Sequence, residues 1–238
     1  MEESLTPPLN SVTTLVFDVM GTVVDMDGSL ARQTTATLER HGLDPDAGAA
    51  LAQDSDRRVG LLMDDVRLGR SPWQSHAQLR ETALRDGLIA TGVAAPPADL
   101  IHDLAAAVGR LEPWPDSAAA LADLRERFTV VALSNADLAE IAAFSRYGRL
   151  AWHLALSGEL VRSFKPDPAV YSLVPRALGV PASQLLMVAA HPWDLRAAAE
   201  QGLRTAYVAR PGAEKPGPED VFDLTVDDLT DLAGPALP

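Results

Sequence analysis

The chain has 238 residues, 33 Asp and Glu against 20 Lys and Arg for a net charge of −13, 47% apolar residues and no cysteine. That length and apolar fraction suit one large domain or a core with an appendage, while the acidity disfavours nucleic acid and anionic lipid, whose binding rests on Lys and Arg neutralising phosphates. Without cysteine there are no disulfides, thiolate nucleophiles or Cys-ligated zinc. Met1-Glu2-Glu3 lacks a basic start and no apolar stretch reaches the roughly 18 residues of a bilayer span, so a soluble cytoplasmic protein is expected.

In chain order, a polar start containing Thr6-Pro7-Pro8 leads into Val12-Thr13-Thr14-Leu15-Val16-Phe17, β-branched and apolar on both faces. This reads as a buried central strand ending at Asp18. Residues 29 to about 110 then read as successive amphipathic helices, about 29–41, 46–68, 74–88 and 97–110, with no convincing strand. They form an expected helical subdomain over 26–111, inserted after the first strand. Its far boundary falls at Glu112-Pro113-Trp114-Pro115-Asp116, where the prolines forbid helix continuation and Asp116 can cap the next helix.

Beyond that point, strand-like runs at 128–133, 185–190 and 205–208 alternate with helical patterns near 116–127, 137–147, 168–178 and 194–202. Such alternation is the signature of a parallel sheet covered on both faces, so the fold class is α/β, with 11–25 and 112–238 forming the core. Residues 210–218 are a surface loop by their Pro and Gly content.

Ligands of open α/β sheets sit beyond the carboxyl ends of the strands. Four polar sites occupy such positions: Asp18, Ser134-Asn135, Lys165 before Pro166, and His191-Pro192-Trp193-Asp194. Singly, each reads as an ordinary turn or cap residue; together they point to a small-molecule site.

These segments also resemble a known family. Phe17-Asp18-Val19-Met20-Gly21-Thr22-Val23-Val24-Asp25 is similar to the first motif of the haloacid dehalogenase superfamily, whose leading Asp is a nucleophile positioned by the Thr four residues later. Ser134-Asn135, Lys165-Pro166-Asp167-Pro168 and Val188-Ala189-Ala190-His191-Pro192-Trp193-Asp194 resemble the second, third and fourth motifs, in order. The resemblance implies a Rossmann-like core with a helical cap inserted after the first strand.

The chemistry can also be argued from the residues. An Asp18 nucleophile must be ionised, yet a second carboxylate such as Asp194 about 5 Å away opposes ionisation by roughly 3 kcal/mol at an effective dielectric of 20. Mg²⁺ or a lysine must offset the pair, and Lys165 is the candidate the motifs supply, so no metal or other cofactor is expected. Ser134 and Asn135 offer donors for an anion or carboxylate near the nucleophile. Met20 stands where the superfamily's phosphatases carry an acidic proton donor, a task methionine cannot perform. Displacement of halide from carbon needs no such donor.

The resemblance therefore narrows to the L-2-haloacid dehalogenases, which form an alkyl ester on the Asp. Tyr171, Trp193 and Asp194 fall at that branch's functional positions, and Met20 and His191 join them as candidate substrate contacts. Two departures stand out. Ala189 and His191 replace a usual Ser and Asn, and the stretch Gln53-Asp54-Ser55-Asp56-Arg57-Arg58 carries Asp56 where the branch's carboxylate-binding cap arginine is expected. Arg57 or Arg58 is the candidate replacement. Without that arginine, an epoxide hydrolase acting on a bulkier substrate, with Tyr171 or His191 as proton donor, is the alternative; a non-catalytic binding protein on the same scaffold is a third reading. Trp73 and Trp114 are expected to pack between cap and core, and a homodimer is the assembly considered. Asp25-Met26-Asp27-Gly28 is not a calcium loop, because its register puts Val23 at the first ligand position.

Overall fold

The computed structural model describes residues 9–234; Thr6-Pro7-Pro8 and residues 235–238 of the expected core lie outside them. Strand β1 (Thr14–Phe17) is buried at every position. A tight turn leads to the short strand β2 (Val24–Asp25), and the chain then runs through helices α1 (Met26–Arg40), α2 (Gly48–Arg67), α3 (His76–Ala90) and α4 (Ala98–Ala105) to β3 (Glu112–Pro113), which pairs antiparallel with β2. That pairing ties the two ends of the helical segment together. There follow α5 (Ser117–Arg125), β4 (Thr129–Ser134), α6 (Leu138–Gly148), β5 (Leu154–Ser157), α7 (Pro168–Tyr171), α8 (Leu173–Leu178), β6 (Leu185–Ala189), α9 (Pro192–Glu200), β7 (Arg204–Val208), β8 (Leu224–Val226) and α10 (Leu229–Ala233).

Six parallel strands form one sheet in the order β5-β4-β1-β6-β7-β8. The chain winds outward from β1 in both directions, so the carboxyl ends of β1, β4 and β6 flank a topological switch point. Alternate β1 side chains feed opposite layers: Leu15 and Phe17 pack with Val130, Phe144 and Leu186, while Val16 joins Val131, Val174 and Met187. Helices cover both faces, which is why these strands are apolar throughout. Each fully buried Val, Leu or Phe contributes roughly 1.5–3 kcal/mol.

The helical segment has a cluster of its own, built from Leu38, Leu51, Leu84, Leu88, Leu100, Ile101 and Leu104. The α3 and α4 members recur at three- and four-residue spacing, as one face of a helix demands.

Three departures from the sequence reading have physical causes. The expected helix over 168–178 breaks between α7 and α8 because Pro175 has no N–H to bond the carbonyl of Tyr171. The helix expected to run to 110 ends at Ala105 and tightens into a 3₁₀ turn over Ala106–Arg110, where glycine falls at 109. Strands β5 and β8 give no sequence signal: Leu-Ala-Leu-Ser lacks β-branched residues, and β8 is a three-residue edge strand. No helix among the described residues is long and apolar enough to cross a membrane.

Candidate active site

Asp18 directly follows β1. Its N–H still donates to Val188 O (3.0 Å), which extends the ladder and brings the carboxylate out at the switch point. The N–H groups of Val23 and Val24 then both donate to Val19 O (2.8 and 3.1 Å), folding the chain back so that Thr22 Oγ1 donates to Asp18 Oδ2 (2.6 Å). The same hydroxyl accepts the N–H of Ala190 (2.9 Å), anchoring the turn to the end of β6. Gly21 has φ +82°, and a Cβ there would lie 2.9 Å from His191 Nε2, so a side chain would strain the turn and displace the imidazole.

Lys165 arrives on the loop between β5 and α7. Asn135, at the end of β4, holds its backbone: Lys165 N–H donates to Asn135 Oδ1 (2.7 Å) and Asn135 Nδ2 donates to Lys165 O (3.4 Å). The side chain is 1% exposed, and its ammonium donates to Asp18 Oδ1 (2.7 Å) and Asp194 Oδ2 (2.6 Å). Asp194 lies in the first turn of α9, where the helix dipole favours an anion, and its Oδ1 accepts from the Tyr171 hydroxyl (2.6 Å).

Burial pushes the Asp18 carboxyl up, but the charge of Lys165, then His191, and the hydrogen bonds from Lys165 and Thr22 carry it below the ordinary carboxylate range. Burial and the neighbouring Asp18 instead raise Asp194 against the pull of Lys165. Burial would lower the Lys165 ammonium, yet the two carboxylates hold it above its ordinary value. The donor set does not fit Mg²⁺: Lys165 already takes an oxygen of each carboxylate. Among the described residues no group of three or more His, Asp or Glu is arranged to hold an ion.

A cavity of about 190 Å³ opens in front of Asp18. Its sheet-side wall is Met20, Asn135, Lys165, His191 and Trp193; its other wall comes from the helical segment, with Met26, Asp56, Val59, Gly60, Met63 and His76. A second chamber of about 410 Å³ adjoins it along Gly60, Met63 and Trp193. His191 stacks on Trp193 (centroids 5.9 Å apart), and its Nε2 lies 3.7 Å from Asp18 Oδ2. Nε2 also lies 3.1 Å from Met20 O, and since a carbonyl only accepts, Nε2 carries the proton.

Four candidate substrate contacts from the sequence do not line the cavity. Ser134 is fully buried and its Oγ accepts the Ala136 N–H (3.1 Å), shaping the turn instead of meeting a ligand. Tyr171 is also fully buried, behind Lys165, with its hydroxyl on Asp194; it is not placed to touch substrate or to protonate an opened epoxide. Burial and then the Asp194 carboxylate push its phenol far above the ordinary value. Arg57 is 60% exposed, pairs with Asp54 (2.6 Å) and lines a neighbouring depression that shares Asp56 with this cavity. Arg58 pairs with Asp54 as well (2.6 Å). On α2 the cavity-facing positions are Asp56, Val59, Gly60 and Met63; Arg57 lies about 100° further round the helix. Trp73 stacks on Phe164 and Trp114 donates to Gly21 O (3.2 Å), so both pack at the junction and neither lines this cavity.

The sequence reading missed the polar groups of α3 and α6. His76 and Arg80, one turn apart on α3, are both buried. Asp137, the N-cap of α6, accepts the N–H groups of His76 (2.9 Å) and Ala77 (3.1 Å) and so caps α3 as well. Glu140 accepts from His76 Nδ1 (2.7 Å) and from the Asp137 N–H (2.9 Å). Burial would raise Glu140, but His76 outweighs it and the carboxyl sits below its usual range. Arg80 donates to Asp56 Oδ1 (3.1 Å). The one available signal was this polar pair on a face otherwise made of Leu79, Ala83 and Leu84.

A family model described as haloacid dehalogenase-like hydrolase matches residues 12–202. The (S)-2-haloacid dehalogenase H-109 of Pseudomonas putida is 29% identical over 204 residues, covering 84% of this chain and 86% of its own. Among solved structures, the L-2-haloacid dehalogenase PA0810 superposes with a TM-score of 0.86 at 35% identity, over 93% of this chain and 97% of its own. The defluorinating L-2-haloacid dehalogenase Rha0230 does so with a TM-score of 0.87 at 29% identity, over 93% and 94%.

Proposed function

Because the chain belongs to the haloacid dehalogenase-like hydrolase family, we propose that it is a hydrolytic dehalogenase whose Asp18 attacks the halogen-bearing carbon of a 2-haloacid-type substrate. The observation that carries this reading is Asp18 itself: a carboxylate held ionised by Lys165 and Thr22 at the mouth of a small cavity, with Met20 in place of an acid. In the first step an Asp18 oxygen bonds to carbon 2 while the carbon–halogen bond breaks, and the halide leaves with the bonding electrons, so no proton donor is needed. Water then attacks the carbonyl carbon of the resulting ester. Lys165 Nζ and Thr22 Oγ1 donate toward the charge that develops there, in a site with little water to compete. The 2-hydroxy product departs, Asp18 is restored and the remaining proton leaves with the halide.

Asp194, Tyr171 and Asn135 are positioning residues in this scheme. Tyr171 fixes Asp194, Asp194 and Asn135 fix Lys165, and Lys165 fixes Asp18. Residues 26–111 act as a cap, since Asp56, Val59, Met63 and His76 face Asp18 across the cavity. Epoxide opening gains no support from Tyr171, which lies behind the site. The test is free halide released from a panel of 2-chloro acids, amides and esters, with release abolished in a folded Asp18→Asn variant. No halide from any of them would overturn the reading, and Mg²⁺-dependent cleavage of p-nitrophenyl phosphate would replace it.

A further inference from the structure

We propose that the preferred substrate is a neutral 2-halo carbonyl compound carrying a hydrogen-bond donor, a 2-haloamide in chemical class, and that Asp56 is the residue that selects it. The inference rests on the displacement reading above and asks which derivative of a haloacid the cavity accepts.

It follows from where the charges are. A substrate carboxylate needs an available cation, and each basic group near Asp18 already pairs with a carboxylate. Lys165 is shared between Asp18 and Asp194. Arg80 is buried against Asp56, with its Nε donor unpartnered and the residue absent from the cavity wall, and Arg67, in the adjoining chamber, pairs with Asp64 (2.9 Å). Of the two imidazoles on the cavity wall, His76 is tied through Nδ1 to Glu140, and His191 Nε2 lies between Met20 O and Asp18 Oδ2. What faces Asp18 across the cavity is a second carboxylate, so an anionic substrate would meet on each wall an anion that already holds the nearest cation, an arrangement that disfavours a further negative charge.

Asp56 is also built to accept. Its side chain is 34% exposed, and Arg80 bonds Oδ1 alone, which fixes the rotamer and leaves Oδ2 with no hydrogen-bond partner among the described residues. An ionised carboxylate has no proton to donate, so its complement is an N–H group. The negative field of this wall is felt next door as well: burial, then Asp56 and Asp25, raise the carboxyl of Asp27. A primary amide beside the halogenated carbon would offer N–H to Asp56 while adding no charge. The overall step is then 2-haloamide plus water giving 2-hydroxyamide plus hydrogen halide: the water oxygen enters Asp18, one water proton ends on the new hydroxyl, and the other leaves with the halide.

The test compares halide release from 2-chloropropionamide and 2-chloropropionate by the full-length wild type and by Asp56→Asn. The expected wild-type kcat/KM favours the amide by about 10-fold or more, and Asp56→Asn brings the two within about 3-fold, chiefly through KM. A wild type that turns over the acid as well as the amide, or a preference that Asp56→Asn leaves unchanged, overturns the proposal while the displacement reading stands. Release from neither compound by folded protein overturns both.

Discussion

On the sheet side of the cavity, Asp18, Thr22, Lys165, Asp194 and Tyr171 are joined by hydrogen bonds of 2.6–2.7 Å, all of them buried. On the helical side, Asp56 is held by one bond of 3.1 Å and is a third exposed, and His76 depends on Glu140 of α6 to fix its ring. The first wall is a closed network in which each group orients the next, suited to a step that tolerates little displacement. The second offers a partly exposed acceptor among apolar side chains, suited to deciding what is bound. On the proposed reading, reaction and selection belong to separate walls, and substitutions should divide the same way.

The largest effect is expected where the closed network is opened. Lys165→Met leaves two buried carboxylates without their counter-charge and should lower stability by about 3–5 kcal/mol, with halide release falling by about 10³-fold. Urea denaturation with a halide assay reads both; a variant as stable and active as wild type would mean the network does not hold Asp18. Next, Tyr171→Phe removes one donor from Asp194 and should cost about 1–3 kcal/mol. Its activity loss should appear in kcat with KM little changed, because Tyr171 does not reach the cavity; a KM effect alone would place it at the substrate.

The pH dependence sharpens the same contrast. The Lys165 ammonium is held above 10.5, so its contribution is complete below that value and is lost as pH rises through the raised folded-state value. The Asp18 carboxyl is held below 3.8, so its contribution is present above that value and is lost as pH falls through the lowered one. The stability gap between wild type and Lys165→Met should therefore narrow as pH rises past 10.5 through the raised Lys165 value. A gap that already narrows with rising pH between about pH 7 and about pH 10 would show that Lys165 is not paired as described. The smallest effect belongs to Arg57→Ala: exposed and engaged with Asp54, it should change stability by no more than about 0.5 kcal/mol and halide release not measurably. A pronounced loss of activity would return Arg57 to the site.

The two walls also differ in how far the sequence discloses them. Asp18 and Asp194 are polar residues that follow apolar runs, and a parallel sheet delivers such positions to one edge whatever the details of packing; Lys165, eight residues beyond β5, was marked instead by the resemblance of Lys165-Pro166-Asp167-Pro168 to a motif. Their grouping was legible from the two signals together. Tyr171 and Ser134 were found as residues but misplaced as contacts, because spacing along the chain does not say whether a hydroxyl faces a cavity or a neighbouring backbone. On the helical wall, the choice between Asp56 and Arg57 turns on a rotation of about 100°, set by how α2 packs on α1 and α3. His76 needs Glu140, 64 residues away on α6, to acquire its setting. Strand β5 escaped for a related reason, being ordered by its pairing with β4 more than by its own residues.

The most direct measurement is a single turnover in ¹⁸O-water with enzyme in excess over whichever 2-chloro compound releases halide, followed by mass spectrometry of the peptide containing Asp18. Attack by Asp18 and hydrolysis of the ester at its carbonyl carbon place ¹⁸O in the Asp18 carboxylate and leave the new hydroxyl of the product unlabelled. Label in the product after that first turnover, with none in Asp18, would contradict the covalent route.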